Sequence, residues 1–587
     1  MGGLFLCRTG ESDSASAALL SDAERQFAAH GFAEAQLFSI PGYRGFHCDF
    51  IQGGPSGFYR SGNDFIAIAG TFHWKGQCGA KALAAALAAI TFPFTQWDEA
   101  GGQFVALVHK GGRSLIFTDY FAAFQLFIGQ DARLFSTSFL ATCASAERLH
   151  LEAQSVYEYA FNIFPTGDDS FFSAITRLGP YVQIELGSTH NQRHAVAKPL
   201  PAHLDSDTPL AERLEQHHAA LRAAVQPYAA TWGDKIQCPL SGGLDSRLAL
   251  SLLRDAAVHP HVYVYGSSAD EDVVIARAIA DGEGFALEAF DKDRFAAPDP
   301  DAYAEIVRRN FHECDALVTD GGLFDNGGNR FARHARQRDG QLAVSGGCGE
   351  VFRNFFYLPD KNLHAKDVMR AFYARFFRQD TTARFSPRHF LDRLTHKAQE
   401  ALQCSAGSGK LSRVAVEQLY PRMRCRAFFG REISLVGRHG GYLMPFYDHH
   451  VVAHALQLPL ALKNLGRFEA ALCAHIDPKL AAYPSAYGHS FMESPTRRQI
   501  WSEALGRMRP AWLRQHSYAL RRHIGHLDND GQSGILSPVY LGRVIDLHFP
   551  VMRHFFRIES IRDAGLYRRI AAMELLCQYF SDRLEIH

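Results

Sequence analysis

The sequence lacks an excess of either charge. Its 587 residues include 61 Lys and Arg against 61 Asp and Glu, so the formal net charge is zero. Proteins that bind nucleic acid or acidic membranes usually carry a basic excess, and the overall composition indicates neither partner. With 47% hydrophobic and 21% charged residues, the composition also excludes an intrinsically disordered chain.

Clustered cysteines and long apolar runs are also absent. The 11 cysteines stand singly, without the CxxC spacing of a zinc site or the density of a disulfide framework, and we therefore expect a reduced, cytoplasmic setting. The most apolar run, Ala82 to Ile90, falls short of the roughly 18 residues of a membrane helix. The N-terminus has no basic start followed by an apolar stretch. The sequence predicts neither a membrane span nor a signal peptide.

The length predicts two domains, because a single hydrophobic core stops growing well below this size. Residues 1–195 have the pattern of an α+β domain, in which Phe104 to Val108 is expected to pair with Leu115 to Phe117 in a hairpin. The polar, proline-bearing stretch from Ser188 to Pro209 is typical of a linker. The second domain is expected over residues 208–587.

In the second domain, predicted strands alternate with predicted helices. The strands Ile236 to Leu240 and His261 to Tyr265 are each followed by a helix, Ser246 to Arg254 and Asp272 to Ala280 respectively. Such alternation predicts a parallel α/β sheet with helices on both faces. The rest of the domain is expected to be a mostly helical C-terminal extension.

A glycine-rich loop joins the first of these strands to its helix. Its residues are Leu240, Ser241, Gly242, Gly243, Leu244, Asp245 and Ser246. Glycines let the backbone curl around a phosphate chain, while the amide N–H groups and the helix N-terminus point at the anion. A carboxylate beside polyphosphate would repel it, so Asp245 predicts a Mg²⁺ ion that bridges the phosphates.

The alternative for this loop is an ordinary βα connection in which Asp245 caps the following helix. The complete Ser241 to Ser246 segment, with a strand before it and a helix after it, favours the nucleotide site. No lysine follows the second glycine. The loop is therefore not a Walker A motif, and simple γ-phosphoryl transfer is not expected.

Ser241 to Ser246 resemble the pyrophosphatase loop of the asparagine synthetase family, whose members cleave ATP between the α- and β-phosphates. Three other segments are also similar to that family: Met1 to Phe5, Phe117 to Tyr120 with Asp119, and Met444 to Asp448 followed by Leu456 to Pro459. The resemblance implies an amidotransferase-like αββα sandwich over residues 1–195 and an ATP-pyrophosphatase-type adenylating domain over residues 208–587. It implies ATP and Mg²⁺ as cofactors, with Tyr265, Ser345 and Gly346 beside the first loop at the nucleotide.

Two departures from the family pattern change what is expected. Glutaminase members use a cysteine at the position of Gly2, so the resemblance implies an inactive glutaminase here, and Cys7 is expected to be a core residue. The second phosphate loop, Val344 to Glu350, has Gly349 where the family has an aspartate. Glu350 is then either the second metal ligand or a carboxylate at a helix start.

Acyl transfer needs a base for the amine and a cation for the tetrahedral intermediate and the departing adenylate. Glu432 resembles the base of β-lactam-forming relatives, and Arg467 resembles the family's catalytic lysine. Lys463 is the alternative cation nearby. Each of the three could equally be an ordinary ion-pair residue.

Relatives without the cysteine include β-lactam synthetases and lasso peptide cyclases. The length of the chain, with the stretch 360–410 as a cradle for a peptide, favours the second group. The resemblance then implies adenylation of an Asp or Glu side chain of a precursor peptide and macrolactam formation with its N-terminal amine, releasing AMP and pyrophosphate. A leader-peptide protease is the expected partner. The alternatives are an ammonia-dependent asparagine-type enzyme, a small-molecule β-lactam synthetase and a non-catalytic nucleotide-binding scaffold.

Overall fold

The computed structural model describes residues 2–9, 13–205, 207–292, 295–316, 318, 322–404, 409–524 and 532–586. Met1 of the opening segment, Ser206 of the predicted linker and residues 405–408 of the stretch 360–410 lie outside the described residues. Among the described helices, none is both long and apolar enough to cross a membrane.

Two antiparallel sheets make up most of the N-terminal part. One sheet has the strand order β12-β9-β10-β1-β3-β2, and the other has the order β14-β13-β8-β7-β5-β4 with β6 paired to β5. The strands are β1 (Gly3–Arg8), β2 (Ala35–Ile40), β3 (Tyr43–Cys48), β4 (Phe58–Ser61), β5 (Asp64–Trp74), β6 (Gln77–Cys78), β7 (Ala100–Lys110), β8 (Arg113–Thr118), β9 (Phe127–Ile128), β10 (Leu134–Ser136), β11 (Leu149–His150), β12 (Thr176–Arg177), β13 (Val182–Leu186) and β14 (Gln192–Ala195).

Alternation along the strands places the two sheets face to face. In β1, Leu4 and Leu6 belong to the main core between the sheets, whereas Phe5 and Cys7 pack against Phe27 on the opposite face. Successive side chains of a strand point to opposite faces, so each strand contributes to two layers. Helices cover the outer faces or follow the strands: α1 (Asp13–His30), α2 (Gly79–Ala89), α3 (Phe139–Ala144) and α4 (Ala153–Asn162).

The C-terminal part is built on a five-stranded sheet in which every neighbouring pair is parallel, in the order β17-β16-β15-β18-β19. Its strands are β15 (Ile236–Pro239), β16 (His261–Tyr265), β17 (Leu287–Phe290), β18 (Leu342–Val344) and β19 (Tyr442–Leu443), while β20 (Leu584–Glu585) pairs with β11. The next two strands in the sequence, β16 and β17, lie on one side of β15, and β18 and β19 lie on its other side. The strand order therefore reverses between β15 and β18, which is where open α/β sheets bind ligands.

Helices surround this sheet and form the rest of the chain. They are α5 (Leu210–Trp232), α6 (Leu244–Asp255), α7 (Glu271–Glu283), α8 (Pro300–Glu313), α9 (Gly328–Ala335), α10 (Ala365–Tyr373), α11 (Pro387–Ala401), α12 (Arg413–Leu419), α13 (Arg426–Val436), α14 (His449–Leu456), α15 (Leu460–Lys463), α16 (Arg467–Ile476), α17 (Pro478–Ala482), α18 (Arg497–Met508), α19 (Ala511–His523), α20 (Pro538–Leu541) and α21 (Ala564–Tyr579). The expected mixed α/β architecture, with antiparallel sheets followed by a parallel one, is confirmed.

A buried carboxylate joins the two parts of the chain. Asp315, which is fully buried, accepts hydrogen bonds from the backbone N–H groups of Phe139 and Leu140 at the start of α3. Arg438 Nη2 lies 2.7 Å from the same carboxylate. A charge in this position is stabilised by several donors at once, so it holds α3 firmly against the C-terminal part.

One predicted element differs from the structure. The sequence predicts a linker from Ser188 to Pro209, but Gln192–Ala195 forms β14, which pairs with β13 at the edge of the second sheet. Three of its four residues, Gln192, Arg193 and His194, are polar, and most of the strand is exposed, so no apolar alternation marks it as a strand. Lys198, further along, is buried and donates from Nζ to the Asp119 carbonyl. The connection is therefore packed against the N-terminal part.

Candidate functional site

The first glycine-rich loop follows β15 and leads into α6, as the sequence predicts. The Ser241 N–H donates to Ser246 Oγ at 3.0 Å, and the two hydroxyl groups lie 2.9 Å apart. The Gly243 N–H donates to Ser241 Oγ, and the Gly242 N–H donates to Asp272 Oδ1 at 2.8 Å. The three loop amides thus donate to three different oxygen acceptors within the protein, and a phosphate oxygen could accept from such amides in their place.

Gly242 is also required by close packing. A Cβ atom at this position would lie 2.8 Å from Ile275 Cδ1 and 2.9 Å from Ala486 Cβ. Leu240 and Leu244 on either side of the loop are buried in the core. The loop is therefore held on both sides, and its two leucines have a packing role.

The second glycine loop lies directly against the first. A Cβ atom at Gly346 would be 3.0 Å from the Asp245 carbonyl carbon, and one at Gly349 would be 2.0 Å from Asp245 Oδ1. The Gly347 N–H donates to Ser345 Oγ at 3.1 Å. The two loops, which are about a hundred residues apart in the sequence, meet at the point where the strand order reverses.

This contact explains the glycine at position 349. The Asp245 carboxylate occupies the space that a side chain at this position would need. An aspartate at position 349 would place a second carboxylate on top of the first. Any side chain at position 349 would therefore have to displace the Asp245 carboxylate from the place that it occupies here.

Asp245 belongs to a charged cluster that the sequence did not reveal. Arg353 Nη2 donates to Asp245 Oδ1 at 2.6 Å, and Arg353 Nε donates to Glu469 Oε2 at 2.6 Å. Burial, and after it the negative charge of Glu469, raise the pKa of Asp245 well above its usual range, while Arg353 acts to lower it. The single positive charge of the Arg353 guanidinium is thus shared between the two carboxylates, Asp245 and Glu469.

The same cluster offers oxygen ligands for a cation. Glu469 is fully buried, and its Oε1 atom has no hydrogen-bond partner, which is costly unless the atom gains one. A carboxylate pair with a free oxygen is the donor set that Mg²⁺ prefers. Asp245 and Glu469 therefore fit the predicted metal, provided that Arg353 moves away from them.

Glu350, the other predicted metal ligand, has a different partner. It lines the large cavity described below, and its Oε2 atom accepts a hydrogen bond of 2.5 Å from the Tyr420 hydroxyl. Burial of Tyr420, reinforced by neighbouring negative groups, raises the pKa of this phenol well above its usual range. The phenol therefore stays protonated and anchors the carboxylate.

The two candidate cations differ in availability. Lys463 is buried, and its Nζ atom donates to Glu417 Oε2 at 2.9 Å and to the Val351 carbonyl at 3.0 Å. Arg467 begins α16 on the cavity wall, is exposed, and makes no ion pair or hydrogen bond with the residues that the structure describes. Of the two, Arg467 is the one that can approach a ligand without breaking a buried pair.

Glu432 lies on α13, and Tyr265 lies at the end of β16. The Tyr442 hydroxyl donates to Glu432 Oε1 at 2.8 Å, and Tyr442 lies on β19, next to β18, which ends one residue before Ser345. Tyr265 ends β16, with Lys292 Nζ 4.2 Å from the centre of its ring. Tyr265 and Ser345 are thus brought to the same edge of the sheet as Ser241. Glu432 is not among the described residues that line the large cavity.

A cavity of about 1560 Å³ opens beside the two loops. Its wall includes Leu244, Glu350, Arg353, Lys463 and Arg467, and helices α18 and α19 lie over it. The wall is basic: its ionisable side chains are Arg353, Arg370, Arg375, Arg467, Arg498, Arg509, Arg514, Arg521 and Lys463 against Glu350, Glu493 and Glu503, with His489 beside them. Such a surface attracts an anionic ligand.

The start of β1 has no room for a cysteine nucleophile. A Cβ atom at Gly2 would lie 2.4 Å from Phe32 Cε1 and 2.5 Å from the Asp49 carbonyl oxygen. Cys7 is buried, and burial raises the pKa of its thiol to about 11, so the thiol is not a nucleophile. Asp119, from the similar segment Phe117 to Tyr120, is buried and accepts hydrogen bonds from the N–H groups of Phe121, Ala123 and Phe124. These hydrogen bonds hold the turn that follows β8.

Sequence reasoning missed Arg353, Glu469, Asp272 and Tyr420. Arg353 comes three residues after Glu350 and Glu469 two residues after Arg467, so both stood next to residues already singled out. Their contacts with Asp245 span more than a hundred residues of chain. No spacing rule could have joined them.

No protein family and no curated protein matches the chain. Among solved structures, it is similar to glutamine phosphoribosylpyrophosphate amidotransferase from B. subtilis complexed with ADP and GMP, and to an allosteric regulatory enzyme of purine biosynthesis. Both are 11% identical with a TM-score of 0.24, and the matches cover 49% of this chain and 65% and 64% of theirs. The chain thus spans less than two thirds of either protein, and a likeness this distant carries no argument.

Proposed function

We propose that this chain is an ATP- and Mg²⁺-dependent, AMP-forming amide synthetase whose carboxylate and amine belong to one peptide. The observation that carries the proposal is the meeting of two glycine loops, at the reversal of a parallel sheet, on the wall of a large basic cavity. This is the position at which open α/β sheets bind nucleotides. We assign residues 208–587 to the adenylating domain and residues 1–195 to a degenerate amidotransferase-like αββα domain.

The roles of the residues follow from where they lie. The amides and hydroxyl groups at Ser241, Gly243 and Ser246 bind phosphate oxygens. Asp245 and Glu469 would hold Mg²⁺, which when bound neutralises charge on the phosphates. Arg467 extends from the cavity wall toward the negative charge of the adenylate.

The base and the second cation are assigned from their partners. Glu432 is held by the Tyr442 hydroxyl, and we propose that it accepts the proton of the attacking amine. Lys463 forms a buried ion pair with Glu417. We propose that this pair has a structural role and stabilises the part of the cavity wall that carries Arg467.

Two observations support an amine already on the substrate as the nitrogen donor. The space at Gly2 is closed, and Cys7 is an inert core thiol, so the chain offers no nucleophile there to release ammonia from glutamine. The cavity of about 1560 Å³ also exceeds the ~300–1,000 Å³ of most small-molecule sites. A peptide makes better use of this space than aspartate and ammonium do.

Within this class we propose a lasso peptide cyclase. The carboxylate would be an Asp or Glu side chain of a precursor peptide, the amine its N-terminus, and a leader-peptide protease the expected partner. A small-molecule β-lactam synthetase and an ammonia-dependent asparagine-type enzyme are the alternatives to be separated by experiment.

The test is to incubate the protein with ATP, Mg²⁺ and candidate precursor peptides that have a free N-terminus and one internal Asp or Glu. We expect AMP, pyrophosphate and a product lighter by one water. ADP in place of AMP would contradict the mechanism, and asparagine formed from aspartate and ammonium would contradict the peptide substrate. Asp245→Asn should abolish AMP formation, whereas Asp582→Asn, a side chain 73% exposed, should not.

One observation favours a second candidate function, a nucleotide-binding scaffold without catalysis. Arg353 already supplies a positive charge to Asp245 and Glu469. If this guanidinium permanently replaces the metal, the protein binds ATP with the same affinity with and without Mg²⁺ and consumes none. Calorimetric titration of ATP in both conditions separates the two functions.

A further inference from the structure

The hairpin of α18 and α19 exposes an unusually apolar outer surface. Its outward side chains are Trp501, Leu505, Met508, Trp512, Leu513, Leu520 and Ile524, which are between 36% and 74% exposed. They make up seven of the eighteen large apolar side chains that are exposed in the described chain, although the hairpin spans only residues 497–524. We call this set the apolar face of the hairpin.

The spacing of these residues places them on one side of each helix. In α18, Trp501, Leu505 and Met508 are separated by four and three residues, which is the repeat of a single helical face. In α19, Trp512 and Leu520 are two helical turns apart. A surface helix normally turns such a stripe toward the core.

Here the polar side of the hairpin faces inward. Glu503, Gly506, Arg514 and Tyr518 line the large cavity, and Arg514 Nη1 donates to the Phe356 carbonyl at 3.0 Å. The hairpin therefore roofs the cavity with its polar side and leaves its apolar side outward. Such a concentration of exposed large apolar side chains marks an interaction site.

The charge of the hairpin indicates what covers it. Residues 497–524 contain seven arginines and one glutamate, and this glutamate, Glu503, pairs with Arg507 on the cavity side. Of the exposed arginines that the structure describes here, Arg498, Arg509 and Arg521 line the cavity, whereas Arg497 does not. Tryptophan and leucine flanked by arginine is the composition of helices that lie in the interface of anionic membranes.

A second copy of the chain is a poorer occupant. A twofold contact places the same surface patch of each copy against the other, so it would bring together two segments that each contain seven arginines and one glutamate. The helices of 12 and 13 residues are also too short to cross a bilayer. We propose that the apolar face of the hairpin docks on an anionic lipid surface, lying in its plane, and thereby holds the cavity close to the membrane.

The test uses vesicles of phosphatidylcholine alone and vesicles that also contain phosphatidylglycerol. We expect the full chain to float with the anionic vesicles, with binding about tenfold weaker on neutral vesicles and reduced by salt. Brominated lipid should quench the emission of Trp501 and Trp512, whereas Trp74, Trp97 and Trp232 are at most 8% exposed and form the unquenched background.

A pair of matched variants decides whether this surface is responsible. Trp501→Ser with Trp512→Ser should weaken binding to anionic vesicles by about tenfold or more. Leu37→Ser with Val539→Ser is the control, because both side chains are 65% exposed and lie outside the hairpin. The proposal fails if the full chain floats with neither vesicle, if the control pair loses as much binding, or if light scattering shows a dimer that only the tryptophan pair disrupts. Vesicle binding is measured without ATP or peptide, so its outcome is independent of the proposed reaction.

Discussion

Replacing Arg353 by glutamine tests whether a guanidinium occupies the place of a metal ion. The side chain bridges Asp245 and Glu469 at 2.6 Å to each. Its loss leaves two carboxylates facing each other, one of them fully buried. Breaking a buried ion pair costs about 3–5 kcal/mol, and because the arginine is 22% exposed, solvent reduces the cost to roughly 2–4 kcal/mol.

The pH dependence of this loss has a defined sign. The pKa of Asp245 is already raised, and without Arg353 it rises further, so a proton shared by the two carboxylates relieves their repulsion. A group with a raised pKa favours the folded state at low pH, and this contribution is lost as the pH rises through the folded-state pKa. The deficit of Arg353→Gln should therefore be larger at about pH 8 than at about pH 6.

The assay is thermal unfolding with and without Mg²⁺ and no nucleotide. Mg²⁺ should raise the Tm of Arg353→Gln more than that of the unaltered chain, because binding to the folded state adds about 2.7 kcal/mol at a hundredfold excess over Kd. Arg467→Gln is the control, since Arg467 has no partner among the described residues. A variant as stable as the unaltered chain, with no additional response to Mg²⁺, would refute the account of this cluster.

Three further predictions concern stability and the loops. Although burial acts to raise the pKa of Glu313, the hydrogen bond from His334 and nearby positive charges lower it from 4.5 to about 2. The stability that the ionised Glu313 carboxylate contributes should therefore be lost as the pH falls from 4.5 to about 2. Glu313→Gln should make the stability of the fold, followed by circular dichroism during acid unfolding, depend less steeply on pH. Gly349→Ala should displace the Asp245 carboxylate and reduce AMP formation by more than about tenfold, whereas Gly409→Ala, with open space around it, should not. Gly2→Cys should produce no glutaminase activity in an ammonia-release assay and should lower the Tm by a few degrees, because its Cβ atom would overlap Phe32.

Much of the C-terminal part could be predicted from local pattern. The strand before Ser241 and the helix after it follow from a short apolar run, two glycines and leucines at helical spacing. The hairpin of β7 and β8 also lies where the sequence predicts it, with Lys110 opposite Arg113. These features depend on neighbours within one or two turns of the chain, so the sequence contains the whole signal.

The edge strand and the outer surface of the hairpin could not be predicted in the same way. Gln192–Ala195 has no apolar alternation and becomes a strand only because β13 offers an unpaired edge. The neutral overall charge also concealed seven arginines in residues 497–524. Apolar residues at helical spacing do not by themselves say whether they face the core or the solvent.

The sequence by itself determined the residue types of the site: glycines where the backbone must approach closely, hydroxyl groups beside them, and Asp245 at the start of a helix. Only the tertiary structure decided which residues meet Asp245. Arg353, Glu469 and Gly349 reach it across more than a hundred residues because the strand order reverses between β15 and β18. The charge state and the free space at that carboxylate depend on these distant neighbours, and no local pattern encodes them.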